Sequence, residues 1–307
     1  MSRTFMFGCS YTEYMWPTWA SIIMASENKY GREAYNFGQC GISNNAIMNN
    51  ICIADRIFNF TDSDRIMIVW TSLHRRDVLE SYWCEGNQKT FWQWRGDGNI
   101  FGGDITERPT WIQHYVTQDW SLELDLINNF STMQITDRAY NVTFQGHIYE
   151  PLEPGDILKL GIDQGICAWY NSYYAKNGKH LFNQRTSELW HGAPGMVDAI
   201  QDPHPDPAGH LQYVKDCVLP QTGMQLHPDV EQNILNYQHD MEHDLGHMSH
   251  SELNSMEGEW DGMSMTVLNA KCLELADKYG FARDGDAKNY VWLFQQITPS
   301  TILNKII

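Results

Sequence analysis

The first seventy residues switch hydrophobic period several times, and each switch marks an element. Thr4 to Phe7 is a short apolar run ended by Gly8, and the segment after Pro17, TWASIIMASE, has helical spacing. This predicts strand, turn, helix. Glu33 to Phe37 is a second short strand candidate, followed by the turn GQCG and then by Asn44 to Phe58, where Ile47, Ile51, Ala54 and Ile57 recur at helical spacing. Arg65 to Trp70, RIMIVW, is a continuous apolar run of strand length, the pattern of a parallel strand covered on both faces. Strands alternating with helices at this spacing predict βαβ crossovers and a three-layer α/β/α sandwich with a mostly parallel sheet. Ligands in such sheets bind at the carboxyl ends of the strands, which here are residues 8–12, 38–44 and 71–76.

Beyond the third strand the pattern loosens. Residues 80–118 are rich in Trp, Gly and Asn without a clear period and read as an insertion or lid over that edge. Asp119 to Thr136, with Trp120, Leu124, Ile127, Met133 and Ile135, suggests a helix. Asn141 to Tyr149 alternates like a fourth strand, and Ile157 to Tyr174 reads as another helix. Gly192 to Gly209, dominated by Pro, Asp, His and Gly, is expected to be a loop. After Pro220 a polar stretch rich in His and Met runs to about Met265, and Val267 to Tyr279 is a further helix candidate.

Composition narrows the classes. The 307 residues, 42% of them hydrophobic, can bury a full core. A net charge of −17 from 21 basic and 38 acidic residues argues against binding a nucleic-acid backbone, which needs clustered Lys and Arg, and disfavours anionic substrates. Seven scattered cysteines with no close pair suit neither a disulfide framework nor a zinc knuckle, which points to a reducing compartment. The start of the chain shows no signal-peptide pattern, and no window approaches a membrane span, so a soluble cytoplasmic product is expected, with association with a virion left open. Aromatic residues make up 13% of the chain; they suit an aromatic-rich core first and a neutral ligand such as a sugar second.

Four loops hold the reactive residue types. In FGCSYT, Ser10 follows a strand and Gly8 and is expected to open a helix, which exposes a hydroxyl; an ordinary N-cap serine has the same pattern. In NFGQCGISNN, Gly41 can offer its N–H to an oxyanion, or can simply serve a turn that needs positive φ. WTSLHRRD ends the third strand with Thr71, Ser72 and His74 as candidate polar contacts, while Arg75 and Arg76 can pair with Asp77 or Glu80 on a solvated face. In QDPHPDPAGHLQYV, Asp202 and His204 stand two residues apart in a proline-stiffened loop. The acid can orient the ring, and the ring can take a proton from Ser10; a Pro-rich turn with surface histidines is the other reading.

In this order the loops resemble the SGNH (GDSL-like) hydrolase family, whose blocks are a Ser after the first strand, a Gly after the second, an Asn after the third and a late Asp-x-x-His-Pro. The resemblance covers roughly residues 1–220 by block order. It implies a flavodoxin-like fold with Ser10 as nucleophile, Gly41 as oxyanion donor and His204 as general base, with Pro205, Gly209 and His210 continuing the last block. Two positions depart from the family. Gln201 stands where its Asp would be, leaving Asp202 as the nearest carboxylate, and Ser72 stands where its Asn would be. Loss of one oxyanion donor costs about a hundredfold or more in rate. WTS followed by Arg, the aromatic insertion and the DxHP ending resemble SGNH-like proteins commonly encoded by phages.

The implied organisation is a hydrolase domain at 1–220, with its insertion at about 80–118, and a His-rich, mainly helical extension at 221–307. The implied activity is hydrolysis of a small ester, with an O-acylated carbohydrate as the favoured substrate and no cofactor, nucleic-acid or membrane partner. A non-catalytic binding or virion-associated structural protein is the alternative, and assembly as a homo-oligomer or in a virion stays open. In YQHDMEHDLGHMSH, His239, His243 and His247 recur every four residues and would share one face of a helix. A divalent metal could be gripped there, but a solvated polar face is the favoured reading, because HDMEH lacks the Glu directly after the first His that a zinc protease needs. His227 is rejected as the base, since Met224 and Gln225 occupy the places where an acid would stand.

Overall fold

The computed structural model describes residues 2–71, 75–84, 89–99, 119–147, 204–246 and 264–281, with four isolated helical positions between 165 and 172; in residues 76–99 and at some helix ends the description is of backbone alone. The fold is α/β. Four strands, β1 (Thr4–Gly8), β2 (Ala34–Asn36), β3 (Arg65–Trp70) and β6 (Phe144–His147), form one parallel sheet in the order β2-β1-β3-β6. All five residues of β1 are buried, as are the last five of β3, which is why both read as unbroken apolar runs.

Crossovers α1 (Trp19–Lys29) and α2 (Asn44–Phe58) leave β1 and β2 respectively. The strand order reverses direction between them, and the right-handed rule for βαβ units therefore puts the two helices on opposite faces of the sheet. Helix α3 (Asp119–Tyr140) packs on α2. On the other side, α4 (Pro207–Tyr213) and α6 (Pro228–Gly246) pack on α1 and on each other. Between α4 and α6 the chain makes a π-helical turn, Val214–Val218, and a last short helix, α5 (Leu219–Thr222). Helix α7 (Ser264–Tyr279) packs on α6.

Local chemistry explains where the helices begin. Thr18 caps α1 in a reciprocal capping box with Ser21, Ser43 caps α2 by accepting from the Asn45 N–H, and Asp206 caps α4 with Pro207 in the first turn. The expected loop over 192–209 therefore ends earlier than the sequence suggests: within its described part only residues 204–206 are irregular, because Asp206 and Pro207 act as a helix start rather than as more loop.

Two helical patterns need correcting in phase. Ile47, Ile51 and Ala54 are fully buried, but Ile57 is 36% exposed at the end of α2; in α3, Phe130 and Met133 are buried while Ile135 is 57% exposed. Phe130 and Met133 set the buried stripe of α3, and Ile135 lies off it. Starting five residues before the expected insertion, the chain forms an antiparallel pair, β4 (Arg75–Cys84) with β5 (Lys89–Asn99), separate from the main sheet. The cross-strand pairs include Leu79 with Trp94, Ser81 with Trp92 and Trp83 with Thr90, so the irregular sequence there conceals a regular element. Residues 100–118 and most of the helix expected at 157–174 lie outside the described residues.

Part of the aromatic excess goes into the core. Phe5 lies 4.5 Å from Phe60, 5.1 Å from Tyr35 and 5.1 Å from Phe58, ring centre to ring centre, and Trp16, Trp19 and Trp70 are buried. At the opposite end of the sheet from the strand exits, Arg3 makes a two-pronged pair with Asp64 (Nε–Oδ1 2.9 Å, Nη2–Oδ2 2.6 Å) and also donates to the Phe58 carbonyl. The Asp64 side chain is 1% exposed, and the bonds from Arg3 and from the Thr61 N–H and hydroxyl hold its carboxyl down at about 2 despite the opposing effect of burial. Arg3→Met should cost about 2 kcal/mol in urea unfolding at pH 7, because it takes the charged partner from a buried carboxylate and leaves it only the Thr61 bonds; a loss below about 0.3 kcal/mol would show the pair to be incidental.

Candidate active site

The carboxyl end of β1 runs into a tight turn rather than directly into a helix. The N–H groups of Thr12 and Glu13 both donate to the Cys9 carbonyl, at 2.8 and 3.1 Å, which makes a single helical turn; α1 starts only at Trp19. The expectation that Ser10 opens the helix is corrected to this extent, and the reason is visible in the sequence: Pro17 and the Thr18 cap move the helix start downstream. Gly8 is required by space, since a methyl group there would overlap the Thr12 hydroxyl and lie 2.9 Å from the Val69 carbonyl.

The turns leaving β1 and β2 are stitched together. Asn36 donates to the Thr12 carbonyl (2.9 Å) and to the Glu13 carboxylate (2.6 Å), and accepts from the Gly38 N–H (3.0 Å). The Gln39 N–H donates to the Gly8 carbonyl at 3.0 Å. This turn then delivers Gly41 at φ +80°, with open space where a side chain would stand. The exit of β3 is fixed differently. Asn44, fully buried at the start of α2, accepts from the Thr71 N–H (2.9 Å) and donates to the Thr71 carbonyl (3.2 Å).

Across 194 residues of sequence, the His204 ring reaches the nucleophile candidate. Its Nε2 lies 2.7 Å from the Ser10 Oγ, and the serine is only 2% exposed. Tyr14 stacks on the imidazole with ring centres 4.0 Å apart and planes 19° apart, and Tyr11 leans against it at 4.8 Å. The Trp16 indole N–H donates to the Pro205 carbonyl at 2.8 Å. The next residue, Asp206, accepts from the Gly209 N–H at 2.7 Å and from the Gln238 amide at 3.2 Å; burial, reinforced by the charge of Glu242, pushes its carboxyl up.

His210, one turn further along α4, is fully buried, and neither ring nitrogen has a hydrogen-bond partner among the described residues. Burial, aided by the nearby His204, pushes its imidazole down to about 3, so at neutral pH it is an uncharged packing group.

Of the residues singled out in the sequence, Ser10 and His204 therefore meet, and Gly41 stands at the exit of the neighbouring strand. Asp202, Ser72 and His247 lie outside the described residues. His239 and His243 are exposed on α6, where His243 Nδ1 lies 3.4 Å from Asp244. Among the described residues no group of three or more His, Cys, Asp or Glu could hold a metal ion. His227 accepts from the Asp229 N–H at the start of α6. Sequence reasoning missed Tyr14, Trp16, Asn36, Asn44 and Gln238. The first two stand just after Ser10 and nothing in their spacing marks a contact with a loop nearly 200 residues away, while Asn36, Asn44 and Gln238 hold neighbouring turns by contacts that no period signals.

No protein-family model matches the chain, and neither does any curated protein. A solved structure of a member of the lipolytic protein G-D-S-L family from Veillonella parvula is similar over 70% of this chain and 98% of that one, at 11% identity and a TM-score of 0.33. So slight a likeness carries no argument about chemistry. No helix among the described residues is long and apolar enough to cross a membrane.

Proposed function

We propose that the protein is a serine esterase of SGNH type that hydrolyses a small ester, with O-acetyl groups on carbohydrate as the substrate class. The observation that carries the reading is the 2.7 Å contact between Ser10 Oγ and His204 Nε2 at the carboxyl end of a parallel strand. The acidic net charge disfavours anionic substrates, and the aromatic content suits a sugar.

In the first half-reaction Ser10 Oγ attacks the ester carbonyl as its proton passes to His204 Nε2. The oxyanion that forms is held by the backbone N–H groups of Ser10 and Gly41, with Ser72 as a side-chain donor. Collapse breaks the bond to the alkoxy oxygen, which leaves as the alcohol with the proton from His204. In the second half-reaction water gives a proton to His204 as it attacks the acyl-serine; the bond from the acyl carbon to Ser10 Oγ then breaks, His204 returns the proton to Oγ, and the acid leaves. Asp202 is assigned to orient the imidazole.

A fluorophosphonate reagent tests the proposal. It should label the parent at Ser10 and spare Ser10→Ala, and the parent should hydrolyse p-nitrophenyl acetate. A parent that is neither labelled nor active would sink the esterase. That result would favour the non-catalytic reading, a binding or virion-associated protein, which the serine in place of the third-block Asn also motivates.

A further inference from the structure

We propose that Gln238, on α6, is a positioning residue for His204, acting through Asp206; this rests on the reading of Ser10 and His204 as a reacting pair. Among the described residues, 204–206, which lead from His204 into α4, belong to no helix or strand. A base in such a segment must be held from outside to stay within hydrogen-bond reach of its serine, and a misplacement of about 1 Å is worth up to a hundredfold in rate.

The stretch is held on two sides. From the nucleophile's side, Tyr14 covers the imidazole and the Trp16 indole holds the Pro205 carbonyl at 2.8 Å. From the other side Gln238, 8% exposed, makes a fork: its amide nitrogen donates to Asp206 Oδ2 (3.2 Å) and to Glu242 Oε1 (2.8 Å), and its carbonyl oxygen accepts from the Ala208 N–H (3.4 Å). Asp206 spends its other oxygen on the Gly209 N–H as the cap of α4. One amide side chain thus joins the residue two positions after the base, the first turn of the helix that follows it, and the helix packed beside that turn.

An amide suits this place where a carboxylate would not. Asp206 and Glu242 are both acceptors facing Gln238, and only a neutral side chain with a donor at one corner and an acceptor at the other satisfies them together with the Ala208 N–H. The arrangement also gives α6 a role at the site: the part of the chain after residue 220 is then needed for turnover and not only for packing.

The test uses full-length Gln238→Met, which keeps the volume and removes all three bonds, and Gln238→Glu, which keeps the acceptor and loses the donor. For each, kcat and KM on p-nitrophenyl acetate, the rate of fluorophosphonate labelling at Ser10, and amide exchange over residues 204–209 are measured well below the unfolding temperature. Both variants should lose about tenfold in kcat and in labelling rate with KM changed less than twofold, and their 204–209 amides should exchange faster. If Gln238→Met does not fold, Gln238→Glu decides alone. A lower unfolding temperature with kcat and labelling unchanged overturns the proposal, as does a loss confined to KM. Failure of the esterase reading looks different: the parent itself is unreactive, and faster exchange in the variants then supports a purely structural clamp and overturns the positioning role.

Discussion

Ser10→Ala is expected to lower kcat on p-nitrophenyl acetate by about ten-thousandfold or more, with the protein still folded. The serine is 2% exposed and small, so removing one oxygen leaves little cavity, and its loss removes the proposed covalent route altogether. His204→Ala should cost a similar factor, because the hydroxyl is a weak nucleophile unless a base 2.7 Å away takes its proton. The double variant should be no slower than the worse single one, since the pair acts as a unit and either loss already abolishes its joint work. Burst kinetics in the parent and their absence in all three variants would check this. Additive losses in the double variant would show that the two residues act independently, which the acyl-serine route does not allow.

The second large effect is on stability in mild acid. His210 is buried with both ring nitrogens unpartnered among the described residues, and burial pushes its folded-state imidazole down to about 3, against about 6.5 when unfolded. As pH falls through 6.5 the unfolded chain gains a proton that the folded chain refuses, so stability is present above 6.5 and drains away below it. The slope is about 1.4 kcal/mol per pH unit and continues towards pH 3. Between pH 6.5 and 4.5 this one residue should remove roughly 2–3 kcal/mol. Urea unfolding of the parent and of His210→Phe at both values isolates the effect: the difference in stability between the two proteins should shift by that amount in favour of the variant. Equal pH dependence in the two proteins would mean that the ring protonates in place or that solvent reaches it. Asp64 adds to acid sensitivity only at lower pH, since its carboxyl is held at about 2 and its contribution is lost below the ordinary carboxylate range.

The resemblance to the SGNH blocks distinguishes His204, as the candidate base, from His210, as the residue that follows it; in the structure His204 lies against the Ser10 hydroxyl and His210 is completely buried. The strands β1 and β3 and the helix α2 are legible for a simpler reason: RIMIVW is apolar because both of its faces are covered, and Ile47, Ile51 and Ala54 recur at helical spacing because one face of α2 is buried. The antiparallel pair was not legible. Its strands carry Trp, Gly and charged residues without alternation, so no single-strand period shows that Arg75–Cys84 pairs with Lys89–Asn99. Ile57 and Ile135 mislead in the opposite direction, since apolar residues near the edge of a helical stripe follow the pattern without being buried.

By itself, then, the sequence determined the features whose causes are local, the hydrophobic periods of β1, β3 and α2 and the glycine that ends β1, and through the order of its loops it offered a candidate serine and histidine. What only the tertiary structure decided is how a loop at 204–206 comes to face a turn at 9–13. Indole, phenol and amide side chains from Trp16, Tyr14 and Gln238 hold that loop, and each does so by a contact that no spacing rule encodes. Such contacts depend on where the packing of α4 and α6 against α1 delivers the chain. Their information is therefore spread over the whole core rather than written near the residues that use it.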